Sequence, residues 1–247
     1  MTFITPIYNE YYLLTDDICN YCYRKLKLKI TPLEALKELY KLAQDVHTTF
    51  ERHHLLYFLD FGSAAGAIRH GGIIPWDDDL DIVINTEDEP LFLDKVGREL
   101  RDKKKIKIIK GSPDGIWDYK LISFANNATH YLACDVFVIQ FDKFKNRYVF
   151  KNQNLRHLWF HEFSESVMIP RLTDFGPLQM KILPTEAYHY FDDWYGKHWK
   201  TVAMTGSYDH QADQHLIPMA FEIPTFMTMQ PFLKNISTML HPKHRNS

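Results

Sequence analysis

Cysteine is scarce in this chain: three among 247 residues, at positions 19, 22 and 134. So small and odd a number builds no disulfide framework, which excludes a small stapled scaffold and suits a reducing compartment. Long apolar runs are missing too, and none approaches the ~20 residues that span a bilayer. The opening residues, Met1-Thr2-Phe3-Ile4-Thr5-Pro6, lack the basic start and apolar stretch of a secretory leader. The expectation is a cytoplasmic protein. An excess of one charge is also lacking, with 29 basic against 31 acidic side chains. No global field draws the chain to nucleic acid, so a phosphate-bearing substrate has to be held by a few local cations or by metal. Neither the glycine-rich P-loop signature nor the dinucleotide-binding glycine fingerprint is present, which excludes those two phosphate cradles.

What the chain does have is apolar material, 45% hydrophobic and 15% aromatic, enough for a sizeable core. Leu33, Leu36, Leu39, Leu42 and Val46 recur at helical spacing after Thr31-Pro32, which predicts a helix from Thr31 to about His53. Residues 54–61 read as a buried strand that ends at Gly62-Ser63, and a short helix follows through Ala64–Ile68 to the break at Gly71-Gly72. Asp79–Ile84, Ile106–Ile109, Trp117–Phe124 and Ala133–Gln140 read as further strands. Glu87 to about Arg101 reads as a helix, and so does Glu186–Tyr195, which stops at Gly196. The expected fold is mixed α/β, a sheet flanked by helices with a more helical C-terminal part. Its expected divisions are an extension over 1–30, a catalytic core over 31–142, and an aromatic-rich part over 143–247 packed on that core.

The stretch Ile73-Ile74-Pro75-Trp76-Asp77-Asp78-Asp79-Leu80-Asp81-Ile82-Val83-Ile84 carries the most chemistry. Alternate residues of a strand share a face, so Asp79 and Asp81 point the same way. Two ionised carboxylates so close repel, and a divalent cation relieves them. A solvated acidic turn is the plain alternative, but Asp81 sits inside an apolar strand, where a carboxylate needs a partner. A calcium loop starting at Asp77 is excluded, because Ile82 stands where it requires glycine and Asp88 where it requires glutamate. Asp135, in Cys134-Asp135-Val136-Phe137-Val138-Ile139, is a second acid within an apolar strand. If the two strands are neighbours, Asp79, Asp81 and Asp135 form a cluster suited to Mg²⁺ or Mn²⁺ and to phosphoryl transfer.

Glycine-serine after one strand, paired acids in the next and a lone acid in a later one resemble the DNA polymerase β-like nucleotidyltransferase fold. More closely, the run from Phe61-Gly62-Ser63 through Arg69-His70-Gly71-Gly72 to Pro75-Trp76-Asp77-Asp78-Asp79-Leu80-Asp81-Ile82 resembles the signature of the LicD/fukutin family. Trp117-Asp118-Tyr119-Lys120-Leu121, Asp135-Val136-Phe137 and Tyr195-Gly196-Lys197-His198-Trp199 agree with it, so the resemblance covers roughly residues 33–200. It implies transfer of a phosphorylated alcohol, such as phosphocholine or ribitol phosphate, from a CDP-linked donor to a glycan or lipid-linked glycan hydroxyl, releasing CMP. Two rivals stand beside that reading: transfer of NMP from an NTP, and a non-catalytic domain that binds nucleotide or glycan.

On this reading Asp79, Asp81 and Asp135 hold the metal, and Asp135 is the candidate proton acceptor. Asp77 and Asp78 stand behind them and orient them. Gly62 and Ser63 let the backbone approach phosphate at a helix start. Arg69 and Lys120 are the candidate phosphate cations, although each reads equally well as a salt-bridge partner. His70 is a candidate for phosphate or for fixing the turn, and Trp76 for the donor or for the core. Cys19-x-x-Cys22 has no second pair, and His157 with His161 falls short of a four-ligand zinc set. The stretch 219–240, rich in Phe, Met and Pro, is a candidate for peripheral membrane contact, but Pro224 and Pro231 interrupt any long amphipathic helix and favour packing on the domain.

Overall fold

The computed structural model describes residues 31–123, 132–158, 161–204, 208–209, 214–215 and 220–223. Cys19 and Cys22 lie outside them, as does nearly all of the 219–240 stretch.

Helix α1, Leu33–Arg52, starts after Pro32 and buries Leu36, Leu39, Tyr40, Ala43, Val46 and Phe50, the stripe that its leucine spacing predicts. Strand β1 (Tyr57–Leu59) leads directly into helix α2 (Phe61–His70), which Gly71 closes in the left-handed conformation at φ +70°. Strand β2 (Asp79–Asn85) follows. Residues 86–104 are helical, as expected, but they run through successive 3-10, α and π turns before Lys105 ends them at φ +57°. Then come β3 (Ile106–Lys110), β4 (Tyr119–Ser123), β5 (Ala133–Asp142) and β6 (Arg147–Phe150).

These six strands form one mixed sheet, ordered β1-β2-β5-β4-β3, with β6 on the far half of β5. β2 and β5 run parallel, and the other pairs are antiparallel. The centre of the sheet is buried on both faces, which is why β2 and β5 read as nearly unbroken apolar runs. The expected mixed α/β fold is present.

The second part is less helical than expected. Its described residues form helix α3 (Gln153–Leu158), a hairpin of β7 (Arg171–Phe175) and β8 (Leu178–Ile182), helix α4 (Phe191–Trp194) and strand β9 (Val202–Met204). Among the described residues, three two-stranded pairs stand outside the main sheet. They are β7–β8, β10 (Tyr208–Asp209) with β11 (Gln214–His215), and β9 with β12 (Ala220–Glu222). The helix expected over Glu186–Tyr195 splits into a 3-10 turn, Thr185–Tyr188, and the short α4. Tyr188, Tyr190 and Phe191 are all buried. Tyr188 stacks on Phe191 at 5.2 Å and Tyr190 on His161 at 3.6 Å, so these aromatics pack in different directions in the core. One core takes in residues of both parts, from Leu36 and Phe50 to Phe163, Met180, Phe191 and Trp199.

Candidate active site

The register of the two central strands decides the site. Asp81 of β2 lies opposite Asp135 of β5, and Asp79 lies opposite Ala133. On the other side of β5, Lys120 of β4 lies opposite Asp135, and its Nζ is 2.8 Å from Asp135 Oδ1. Lys120 also sits over the Trp117 ring, 5.2 Å from its centroid. Both acids inside apolar strands thus meet, and one has a cation beside it.

The turn between β1 and α2 closes on these acids. Ser63 Oγ accepts from the Asp81 N–H at 2.8 Å, and the Ser63 N–H faces Asp81 Oδ2 at 3.4 Å. A Cβ added at Gly62 would stand 2.8 Å from Asp77 Oδ2 and 3.4 Å from Asp81 Oδ2. The backbone thus approaches the carboxylates closely there, and any side chain at this position has to push them aside. Phe61, just before it, has φ +45°. A bulky residue in that region costs on the order of 1–3 kcal/mol and persists only where packing dictates it. Here the rings of Phe137, Phe150 and His161 surround it, with centroids 4.7, 5.5 and 5.7 Å away.

Asp77 and Asp78 were expected behind the ligands. The structure instead brings oxygens of Asp77, Asp78 and Asp79 within 4.8 Å of one another, the one such set among the described residues. The tight turn after Ile74, closed by the Asp77 N–H to Ile74 O at 2.9 Å, folds Asp77 back toward Gly62. Burial pushes the Asp77 carboxyl well above its usual range, and the charges of Asp79 and Asp78 add to it. Asp81 is raised in the same way, by burial first and then by Asp79, Asp77 and Asp135. A donor set made of mutually repelling hard oxygens fits a divalent cation such as Mg²⁺ or Mn²⁺.

Arg69 is buried, not a surface partner. Its Nε donates to His70 Nε2 at 2.9 Å and its NH1 to the Trp199 carbonyl at 3.1 Å. Burial draws its guanidinium down to about 10, against the opposing pull of Tyr195 and Asp77, so it keeps its charge at neutral pH. Trp76 is half-buried and meets the buried His70 edge-on at 5.6 Å.

Tyr195, Asp60, Tyr190 and His161 complete the surroundings. Burial pushes the Tyr195 hydroxyl up, and Asp81, Asp77 and Asp60 push it further. Asp60 is fully buried, accepts from the Tyr190 hydroxyl and lies 3.3 Å from His161 Nε2. His161 is thus engaged with a carboxylate in the core, not with His157, which is exposed on α3. Asp60 did carry a signal in the sequence, since it is an acid within Tyr57-Phe58-Leu59-Asp60-Phe61. Among the described residues, no helix is long and apolar enough to cross a membrane.

The chain is similar to several known proteins. The chain is 40% identical over 80 residues to the uncharacterized protein RP689 of Rickettsia prowazekii, a match covering 32% of this chain and 27% of that one. It is 44% identical over 48 residues to the lipopolysaccharide cholinephosphotransferase LicD of Haemophilus influenzae, covering 19% of this chain and 18% of that one. Against the ribitol 5-phosphate transferase FKRP of Mus musculus it is 45% identical over 58 residues, covering 24% and 12%. The matches thus span about a quarter or less of those relatives' lengths. The solved lincosamide adenylyltransferase LnuA overlays 70% of this chain and 98% of its own, at 14% identity and a TM-score of 0.39. The family model described as LicD/FKTN/FKRP, nucleotidyltransferase domain, matches residues 54–184, more than half of the chain. The chain therefore belongs to the LicD/FKTN/FKRP family, through a nucleotidyltransferase domain that contains the acids of β2 and β5.

Proposed function

We propose that this protein moves a phosphorylated alcohol from a CDP-linked donor to a hydroxyl of a glycan, with CMP as the leaving group. The observation that carries the reading is the pairing of Asp81 with Asp135 on adjacent parallel strands, with the Gly62-Ser63 turn closed against Asp81. Two family relatives are named for transfer of such groups, one of choline phosphate and one of ribitol 5-phosphate.

Asp79 and Asp81, with Asp77 and Asp78 beside them, would hold Mg²⁺ or Mn²⁺. Such a cation neutralises the charge of a diphosphate and orients its oxygens. Asp135, kept in place by Lys120, takes the proton of the attacking hydroxyl. The new bond joins the glycan oxygen to the alcohol-bearing phosphorus, and the bond from that phosphorus to the CMP oxygen breaks. Lys120 and Arg69 supply positive charge toward the phosphates. Trp76 packs against the donor side of the turn.

The test is CMP release from a panel of CDP-alcohols, including CDP-choline and CDP-ribitol, with Mg²⁺ or Mn²⁺ and glycan extracts. One donor should release CMP, and Asp79→Ala and Asp81→Ala should each lower the rate by about 10²- to 10³-fold, as expected for loss of preorganised charge stabilisation. Release of pyrophosphate from an NTP in place of CMP would replace this reading with NMP transfer. No turnover from either donor class would leave a binding domain.

A further inference from the structure

Asp60 is a buried acid beside the site that the proposed chemistry does not use. Its carboxylate accepts from the Tyr190 hydroxyl and lies 3.3 Å from His161 Nε2, with both partners buried. A carboxylate at Nε2 places the ring proton there, and His161 Nδ1 is buried with no hydrogen-bond partner. The His161 and Tyr190 rings stack at 3.6 Å and within 6° of parallel, so the two donors reach Asp60 side by side.

The backbone of Asp60 faces the other way. Its N–H donates to the Asp81 carbonyl at 3.2 Å, and its carbonyl accepts from the Ala64 N–H at 2.9 Å. One residue therefore ties the C-terminal part of the chain to β2 and to the first turn of α2. Next to it stands Phe61 in the left-handed conformation, followed by the glycine and serine that meet Asp77 and Asp81. The Tyr188 hydroxyl reinforces the tie, donating to the Leu59 carbonyl at 2.7 Å.

We infer that Asp60 is a positioning residue: clamped by Tyr190 and His161, it holds the Phe61-Gly62 turn so that Ser63 is set against Asp81. The inference rests on the reading of Asp81 as part of the reaction site. It also assigns a purpose to residues 161–190, which supply the clamp from outside the motif.

The test compares Asp60→Ala, Asp60→Asn and Tyr190→Phe with wild type by amide hydrogen exchange and by CMP-release kinetics. Leu100→Ala, a buried change in the helical stretch away from this turn, serves as the stability control. Asp60→Ala and Tyr190→Phe should speed exchange of the amides of residues 60–66 by about tenfold or more through local opening. They should also lower kcat by roughly ten- to a hundredfold, with KM for the donor within about threefold, as a slightly misplaced site does. Asp60→Asn should rescue both readouts. Its amide oxygen is isosteric with the carboxylate oxygen and still accepts from the Tyr190 hydroxyl.

Unchanged exchange over 60–66 in both disruptive variants overturns the inference. So does faster exchange with normal kcat, or a Leu100→Ala control that loses kcat in proportion to stability. If Asp60→Asn fails as badly as Asp60→Ala, Asp60 acts through its charge, and the positioning role is wrong. If wild type releases no CMP from any donor, the functional reading fails separately, and the exchange measurement alone decides this inference.

Discussion

At Gly62 the main chain passes so close to Asp77 and Asp81 that a methyl group would sit 2.8 Å from a carboxylate oxygen. Two effects of Gly62→Ala oppose each other. Alanine gains up to ~1 kcal/mol from helix propensity in α2, whereas overpacking costs about 1–3 kcal/mol. The variant should therefore stay folded with only a small loss of thermal stability. The methyl group has to push Asp77 or Asp81 aside, and a shift of about 1 Å in a reacting group costs on the order of a hundredfold in rate. Expected is that loss in CMP release with Tm nearly kept. Full turnover in Gly62→Ala would mean that the turn has no bearing on the acids. Asp81 and Asp135 were legible in the sequence because an acid inside an apolar strand is costly without a partner. Asp60 has the same mark, but its partners His161 and Tyr190 lie about a hundred residues or more away, where no spacing rule reaches.

At the scale of elements, β2 and β5 were legible because burial on both faces gives them continuous apolar runs. Strands β6, β7 and β8 had no reading in the sequence, and the segment after Pro184 read as one helix that the structure splits. There, inward-facing aromatics override helical periodicity, and tertiary packing decides the local structure. Between these extremes lies the entry to β4. Asp118 accepts from the Val138 N–H at 2.8 Å, and its own N–H donates to the Val136 carbonyl at 3.1 Å, which staples β4 onto β5. Burial raises the Asp118 carboxyl from 3.8 to about 6, only partly opposed by the Val138 N–H. Because the folded value is raised, the protonated form favours folding. That contribution is whole below about pH 3.8 and is lost as pH rises through about 6. Asp118→Asn keeps an oxygen for Val138 and never charges. It should melt above wild type at about pH 8 and coincide with wild type near pH 4. Thermal denaturation at both pH values checks this. A variant less stable than wild type at about pH 8 would show that the charged form is the one that holds the strands.

Over the whole molecule the charges nearly cancel, at a formal net −2, yet the acids are not spread evenly. Asp77, Asp78, Asp79, Asp81 and Asp135 crowd one end of the central sheet, with Lys120 beside them. That crowding was legible because most of its members are consecutive in the chain. Tyr195, whose hydroxyl feels the charges of Asp81 and Asp77, and Trp199, whose carbonyl holds Arg69, were legible only through family resemblance. Asp77 and Asp81 are raised by burial and by neighbouring acids, Asp79 first among them, so their ionisation costs folding stability as pH rises through the folded values. A divalent cation that binds the folded acids and not the unfolded chain returns that stability. At a hundred times its dissociation constant it contributes about 2.7 kcal/mol, which for a chain of this size is a rise in Tm of roughly 5–10 °C. The rise should be large at about pH 8 and should shrink as pH falls through the raised folded values of Asp77 and Asp81, because protonated acids neither repel nor bind. Chelation should reverse it, and Asp79→Ala combined with Asp81→Ala should abolish it while raising the cation-free Tm at the higher pH. Melting curves with and without saturating Mg²⁺ measure this directly. A shift that survives the double substitution would place the cation elsewhere, and no shift at about pH 8 would mean that the crowded acids are held by protein cations alone.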